Sequence, residues 1–185
     1  MAELLYLTSP GGFTLFGGNE RAGVRLIEAA FRREGTDNSR EVVTVAELEG
    51  RIAGAMAIFP VDDANHRRTG FLRTTLWRRA PWSWPRIWRV ARQGARHSPQ
   101  PPAEALYIDA LATGPRFRRR GVALALLEEA ERQAREGGYS ALALDTVADN
   151  TAARALYSHF GFEVAEERPP RHPLPALVGY VKRLR

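Results

Sequence analysis

The middle of the chain holds a cluster of arginines where one sequence pattern changes to another. An apolar stretch at 105–112 leads into an arginine-rich turn, and a helical pattern begins at Gly121. The turn contains Arg116, Arg118, Arg119 and Arg120. The N-terminus of a helix carries unbonded backbone N–H groups and a partial positive charge, so this turn is suited to an anion such as a pyrophosphate. A solvated basic turn before an ordinary surface helix is the alternative interpretation.

Small residues at the start of this helix favour the anion-binding interpretation. Gly121 lets the backbone come close to a ligand, and Ala123 keeps the same surface small. Neither a GxxxxGK[ST] nor a GxGxxG pattern is present, so two common nucleotide-binding loops are excluded. Farther along the chain, Asn150 is suited to cap a helix that contains Tyr157.

Two linked motifs resemble those of one family. The spacing Arg118-x-x-Gly121-x-Ala123 resembles the [Q/R]xxGx[G/A] acyl-CoA pyrophosphate loop of the GNAT N-acetyltransferase superfamily. The stretch 150–162 is similar to that superfamily's later motif, NxxAxxLYxxxGF. The resemblance is clear over 106–164. It implies an α/β (α+β-type) GNAT fold, with a mixed, mostly antiparallel central sheet that is flanked by helices and splayed at the acyl-CoA site.

The resemblance also implies a set of cofactor-binding residues. Acetyl-CoA would lie in a gap between strands at 105–112 and 141–147, where the backbone of Leu111 and Thr113 would bond the pantetheine arm. Asn150 would fix the pantetheine or start its helix, and Ala153 would leave room for the cofactor. The residues implied to hold the pyrophosphate through their N–H groups are Arg118, Arg119, Arg120, Gly121, Val122 and Ala123.

Transfer from a thioester to an amine needs a neutral amine, a stabilised oxyanion and a protonated leaving thiolate. Tyr157 matches the family position assigned to protonating the CoA sulfur; a core aromatic is its alternative role. Asp109 alternates with Leu111 and Thr113 along the strand and is the first candidate for the base. It could equally hold a loop or pair with an arginine. Glu104 and Asp145 are weaker candidates, and the oxyanion donor would be a backbone N–H near Leu111.

A segment at 62–103, here called the Arg–Trp segment, is not part of the family's common core. From 64 to 103 it has nine arginines and no Asp or Glu, and all four tryptophans lie in it. It is expected to be helical and to border the acceptor pocket. The tryptophans could stack on bases, lie at a lipid interface or pack as a lid. Alternatively, they pin two helices to the sheet while the arginines face water.

This segment keeps other functions open. One is a non-catalytic GNAT-like module that binds nucleic acid or a membrane surface. Another is a transferase for a larger acyl group, with arginines that recognise a succinyl-like carboxylate.

Composition limits the remaining possibilities. The length of 185 residues fits a single domain over 1–185. With no cysteine, disulfides, iron–sulfur clusters and an acyl-cysteine intermediate are excluded, and four scattered histidines predict no metal site. No apolar run approaches the ~18 residues of a membrane span, and the N-terminus lacks a basic leader, so a cytoplasmic location is expected. The expected partners are acetyl-CoA, an amine acceptor and, because dimers are common in the family, a second copy.

The hydrophobic patterns predict the elements that must position these residues. A helix is expected between an N-cap at Asn19 and Gly35, and further helices at 71–79, 85–96, 121–136 and 151–159. Strands are expected at 4–7, 41–47, 51–59, 105–112, 141–147 and 176–184, with another beginning at 161–164.

Overall fold

The computed structural model describes residues 1–184, which form seven α-helices and six β-strands. The helices are α1 (Ala2–Tyr6), α2 (Pro10–Gly17), α3 (Glu20–Phe31), α4 (Ala64–Trp77), α5 (Trp84–His97), α6 (Val122–Glu136) and α7 (Thr151–His159). The strands are β1 (Val43–Leu48), β2 (Arg51–Pro60), β3 (Ala105–Thr113), β4 (Ala141–Val147), β5 (Glu163–Arg168) and β6 (Leu177–Arg183).

The six strands form one sheet in the order β1-β2-β3-β4-β6-β5. Strands β3 and β4 are parallel, and every other neighbouring pair is antiparallel. This is the mixed, mostly antiparallel sheet expected of the GNAT fold, and that prediction is confirmed.

Strands β3 and β4 separate partway along their length. Their pairing ends at Ile108 opposite Leu144. Beyond this point β3 stays paired with β2 as far as Thr113, and β4 stays paired with β6 as far as Val147. The sheet therefore opens between its two central strands, as the expected splay requires.

A β-bulge lies at the point of separation. Ala57 pairs with Ala110 and Ile58 with Ile108, so Asp109 is an extra residue in β3. A bulge bends its strand and redirects a side chain. It thus places an acid at the opening of the sheet.

The two faces of the sheet are covered by different helices. On one face, here called the α6 face, Leu126 and Leu127 of α6 pack with Ile108 and Leu144. On the other, here called the α4 face, side chains from α1, α3 and α4 pack on β2, β3 and β4. Because successive strand residues point to opposite faces, each central strand contributes to both layers.

The N-terminal prediction was wrong. Residues 4–7, expected as a strand, lie in and just after helix α1, and Pro10 occupies the first turn of α2. A short apolar run does not distinguish a strand from a helix by periodicity. Leu5 is fully buried while Leu7 is 42% exposed, because the run wraps around a helix packed against Ile27.

The other expected elements are present; β4 and α7 have the expected ends, and the ends of the others are shifted. The largest shift is in α4, which begins at Ala64 rather than at 71 and so includes Arg68, whose guanidinium lies beside Asp109 of β3.

Candidate active site

The arginine-rich turn and the start of α6 form an open backbone cradle. Phe117 is buried and anchors the turn, while Arg119 and Gly121 have φ values of 60° and 79°. A residue with left-handed backbone next to one with right-handed backbone directs successive N–H groups to the same side, and such an arrangement binds anions. Gly121 is the N-cap of α6 and has no side chain, so it leaves the first N–H groups of the helix, at Val122 and Ala123, uncapped.

The three arginines before Gly121 are exposed but not equivalent. Arg120 pairs with Glu49 at 2.5 Å, a contact that lowers the pKa of that carboxyl. Within residues 1–184, Arg118 and Arg119 have no such acid partner. Two of the three arginines among the predicted pyrophosphate-binding residues therefore have no acid partner within residues 1–184.

The predicted pantetheine residues lie at the opening between β3 and β4. Leu111 and Ala153 pack at the edge of the α6-face core. The Thr113 Oγ1 atom is buried, and no residue in 1–184 bonds it. Asn150 accepts a hydrogen bond from the Ala153 N–H at 3.3 Å, so its capping role is observed.

Tyr157 of α7 is buried on the α6 face. Its ring lies edge-on to Phe162 and Tyr180. Among the residues that the structure describes, none forms a hydrogen bond with its hydroxyl. Burial raises the pKa of Tyr157, and the negative charge of Asp145 raises it further. The phenol is therefore held in its protonated form, as a proton donor must be.

Asp109 lies on the face of the sheet opposite Tyr157, because it follows Tyr107 of the α4 face and Ile108 of the α6 face in the strand's alternation. Arg68 of α4 lies 3.9 Å from its carboxylate, and the Arg68 guanidinium also lies over the Tyr107 ring. Leu111 instead packs on the α6 face, so the expectation that Asp109 and Leu111 share one side is wrong. The extra residue breaks the strand's alternation.

Two more acids complete this charged cluster on the α4 face. The Tyr107 hydroxyl donates to Asp145, the residue after the last β3–β4 pair on β4. Asp37 is a buried loop residue that accepts a hydrogen bond from Asn38 Nδ2 at 2.8 Å. Its charge and that of Asp109 influence each other. The residues Asp37, Arg68, Tyr107, Asp109 and Asp145 are called the α4-face cluster below.

Burial changes the proton affinities of this cluster. It raises the pKa of Asp109 to about 6; Arg68 opposes the rise and the charge of Asp145 adds to it. Burial also raises the pKa of Asp37 to about 8, with a contribution from Asp109. A carboxyl with a pKa near 6 is ionised at neutral pH yet still basic enough to accept a proton.

Sequence reasoning found only part of this cluster. It named Asp109, Asp145 and Glu104 as candidate bases. Glu104, however, is exposed and directly precedes β3, at the end of the strand remote from the opening. It missed Asp37 and Tyr107, and it grouped Arg68 with the basic segment. Asp37 lies in a loop and Arg68 on a helix, so no local motif joins either of them to β3.

The Arg–Trp segment differs from one expectation. All four tryptophans are exposed: Trp77 by 80%, Trp82 by 86%, Trp84 by 44% and Trp88 by 56%. Helix α5 is instead held by Ile87 and Val90. The interpretation that the indoles pin the helices to the sheet is wrong.

The family is shown by sequence. Residues 16–162 match the model of the acetyltransferase (GNAT) family. The chain therefore belongs to the GNAT acetyltransferases and is a transferase. Among curated protein sequences, none matches this chain.

Solved structures share the fold at low identity. An acetyltransferase aligns over 100% of this chain and 93% of its own, with a TM-score of 0.69 and 19% identity. An N-acetyltransferase from Staphylococcus aureus Mu50 aligns over 97% of this chain and 92% of its own, with a TM-score of 0.68 and 17% identity. A GNAT family acetyltransferase from Elizabethkingia anophelis with acetyl-CoA bound aligns over 98% of this chain and 89% of its own. Its TM-score is 0.57 and its sequence identity is 15%.

Within residues 1–184, none of the helices combines the length and the apolar character needed to cross a bilayer. Over the same residues, histidine, aspartate and glutamate side chains form no group of three suited to a metal ion.

Proposed function

We propose that this protein is an N-acetyltransferase that moves an acetyl group from acetyl-CoA to a primary amine by direct attack in a ternary complex. The observation that carries this proposal is the opening between β3 and β4. A protonated phenol lies on one side of the sheet there and a basic carboxyl on the other. We also propose that 1–185 acts as one domain, with the Arg–Trp segment inserted between β2 and β3.

The residues present fit acetyl-CoA. The uncapped N-terminus of α6, with Arg118 and Arg119 beside it, suits a pyrophosphate. The separated edge of β3 offers backbone groups to a pantetheine amide, in the manner of an added strand. Thr113 adds a buried hydroxyl that no residue in 1–184 bonds. When bound, the cofactor would supply an acetyl group activated as a thioester.

The two faces would divide the proton transfers. Asp109 accepts the proton of the attacking amine, directly or through a water, as the new N–C bond forms. Tyr157 donates its proton to the sulfur as the C–S bond breaks. A backbone N–H near Leu111 bonds the carbonyl oxygen while that oxygen carries negative charge. Each proton removed or supplied has a named group, and no covalent enzyme intermediate is needed.

The first test is calorimetric titration of acetyl-CoA into the wild-type protein and two glycine variants. Gly121 and Gly138 lie at opposite ends of α6, with φ values of 79° and 74°, and a Cβ on either would meet nothing within 4 Å. Gly121→Glu and Gly138→Glu therefore impose a similar backbone strain and the same charge. We expect micromolar binding to the wild type and to Gly138→Glu, and loss of binding in Gly121→Glu.

Equal binding by all three proteins would remove the loop from the proposed site, and absence of binding to folded wild type would overturn the transferase proposal. If binding is found, thiol release in the presence of different amines identifies the acceptor. The chain has no cysteine, so the protein adds no thiol background.

A further inference from the structure

The Arg–Trp segment carries unbalanced charge on its surface. Arg67 pairs with Asp63 and Glu41, and Arg68 lies beside Asp109. Within residues 1–184, the segment's other seven arginines have no acid partner. These are Arg73, Arg78, Arg79, Arg86, Arg89, Arg92 and Arg96. A group of like charges without counter-charges is suited to an anionic partner.

Part of this charge lines a shallow groove on α5. The groove has a volume of about 430 Å³ and contains Arg89, Arg92 and Arg96, with Arg171 opposite and Trp88 beside them. The three helix arginines recur at spacings of three and four residues, so they share one helix face.

The exposed indoles are concentrated at the turn between α4 and α5. Trp77 ends α4, Trp82 lies in the 3-10 turn Pro81–Ser83, and Trp84 begins α5. Trp77 and Trp82 are the most exposed large apolar side chains among the described residues. Exposing such rings to water is unfavourable, and burying them in a partner would be favourable.

The polar groups of this turn are largely bonded within it. The Ser83 N–H and hydroxyl both donate to the Ala80 carbonyl. The Trp84 indole N–H donates to the carbonyls of Leu76 and Arg79. The turn could therefore enter a less polar medium without exposing these donors and acceptors unpaired.

We propose that the Arg–Trp segment docks the protein on the surface of an anionic lipid bilayer. The indoles at the turn enter the interfacial layer, and the arginines of α5 contact lipid phosphates. Tryptophan favours this layer because its ring is apolar and its N–H is polar, and basic side chains bind anionic headgroups electrostatically. This inference does not depend on the proposed transferase activity.

The arrangement favours a lipid surface over a nucleic acid. Sites for single-stranded nucleic acids place aromatic rings within a basic groove, so that bases stack while the backbone is neutralised. Here three of the four indoles lie at the turn, and only Trp88 lies with the groove arginines on α5. A tip of exposed indoles, with Arg78 and Arg79 between Trp77 and Trp82 in the sequence, beside a cationic helix face matches a planar anionic interface.

Intrinsic fluorescence provides a specific test, because all four tryptophans of the chain lie in the segment. The full-length protein is mixed with vesicles of phosphatidylcholine alone, or of equal parts phosphatidylcholine and phosphatidylglycerol. We expect a blue shift of tryptophan emission and co-sedimentation with the anionic vesicles, and neither effect with the neutral ones. Added salt should weaken the binding.

Three variants define the contacts. Arg89→Gln/Arg92→Gln/Arg96→Gln should lower the apparent affinity for anionic vesicles by about 100-fold, at the contribution typical of a basic residue near such a surface. The matched control, Arg21→Gln/Arg25→Gln/Arg33→Gln, makes the same change of charge on exposed arginines in and just after α3, and should bind as the wild type does. Trp77→Ser/Trp82→Ser alters only exposed side chains, so circular dichroism should be unchanged while vesicle binding falls.

Three results would overturn the proposal. The first is no co-sedimentation of the wild type with anionic vesicles. The second is an equal loss of binding in both arginine triple variants, since that would reflect net charge alone. The third is tighter binding to a single-stranded oligonucleotide than to vesicles, retained by the tryptophan variant.

Discussion

The two faces of the sheet at the β3–β4 opening are built in different ways. On the α6 face, the predicted cofactor loop uses mainly backbone groups, with Gly121 left-handed and no side-chain cap on α6. On the α4 face, the cluster around Asp109 consists of side chains from a loop, a helix and two strands. The proposed cofactor site therefore depends on local chain geometry, whereas the proposed acceptor side depends on tertiary assembly.

The same contrast separates the two proposed proton-transfer residues. Tyr157 is surrounded by aromatic rings on a short helix, and burial favours its protonated form. Asp109 lies among charged groups that shift its pKa in both directions. Substitution of the phenol should therefore affect one chemical step, while substitutions in the α4-face cluster should also alter pH dependence.

The largest expected effect comes from Tyr157→Phe. Loss of the proton donor to the sulfur should lower kcat by about 10³-fold, within the range typical of general acids. The ring is kept, so its packing against Phe162 and Tyr180 and the Kd for acetyl-CoA should stay unchanged. Thiol-release assays measure kcat, and calorimetry measures the Kd for acetyl-CoA. A variant with full kcat would assign Tyr157 to the core alone.

The next effect is on the opposite face, in Asp109→Asn. We expect kcat/KM to fall by about 10²-fold. The wild type should lose activity as pH falls through about 6, because protonated Asp109 cannot accept a proton. The variant has no titrating group at this position, so the acid limb of the pH profile, which is this fall in activity at low pH, should disappear. An unchanged limb would assign the proton transfer to another group.

Arg68→Met is the matched variant for the same profile. Arg68 lowers the pKa of Asp109, so its removal should move the acid limb to higher pH without abolishing it. Loss of the limb instead would show that Arg68, and not Asp109, controls it.

The last effect concerns stability rather than activity and comes from Asp37→Asn. The pKa of Asp37 is about 8 in the folded protein, whereas an unfolded aspartate titrates near its ordinary value of about 3.9. Between these values the folded state holds a proton that the unfolded state has lost, so this group makes the free energy of unfolding fall as pH rises. Asparagine does not titrate.

Urea unfolding at pH 5 and pH 8 measures this difference. The free energy of unfolding of Asp37→Asn should rise relative to wild type between the two pH values, by roughly 3–4 kcal/mol. A constant difference between the two proteins would show that Asp37 is ionised in the fold.

The parts that could be predicted from sequence are those encoded locally. Gly121 and Asn150 mark helix starts through their own conformational and capping preferences, and both lie where the spacing places them. Strands β1, β2 and β4 were likewise identified from patterns a few residues long.

The rest depends on tertiary contacts. Arg68 reaches Asp109 because α4 packs across the sheet, and Asp37 reaches it from a loop. The helical state of residues 4–6 depends on burial of Leu5 against Ile27 of α3, which a short apolar run does not reveal. The composition located the four tryptophans in one segment, but only the structure shows that they face outward.

Because Asp109 is an extra residue in β3, its gain or loss leaves the neighbouring residues of the strand unchanged. Without Asp109, Ile108 would be followed directly by Ala110, opposite Ile58 and Ala57, and the ladder with β2 would be continuous. The acid is thus equivalent to a one-residue insertion into a regular antiparallel ladder. A lineage could acquire or discard it by adding or deleting a single codon, without rewriting the strand on either side.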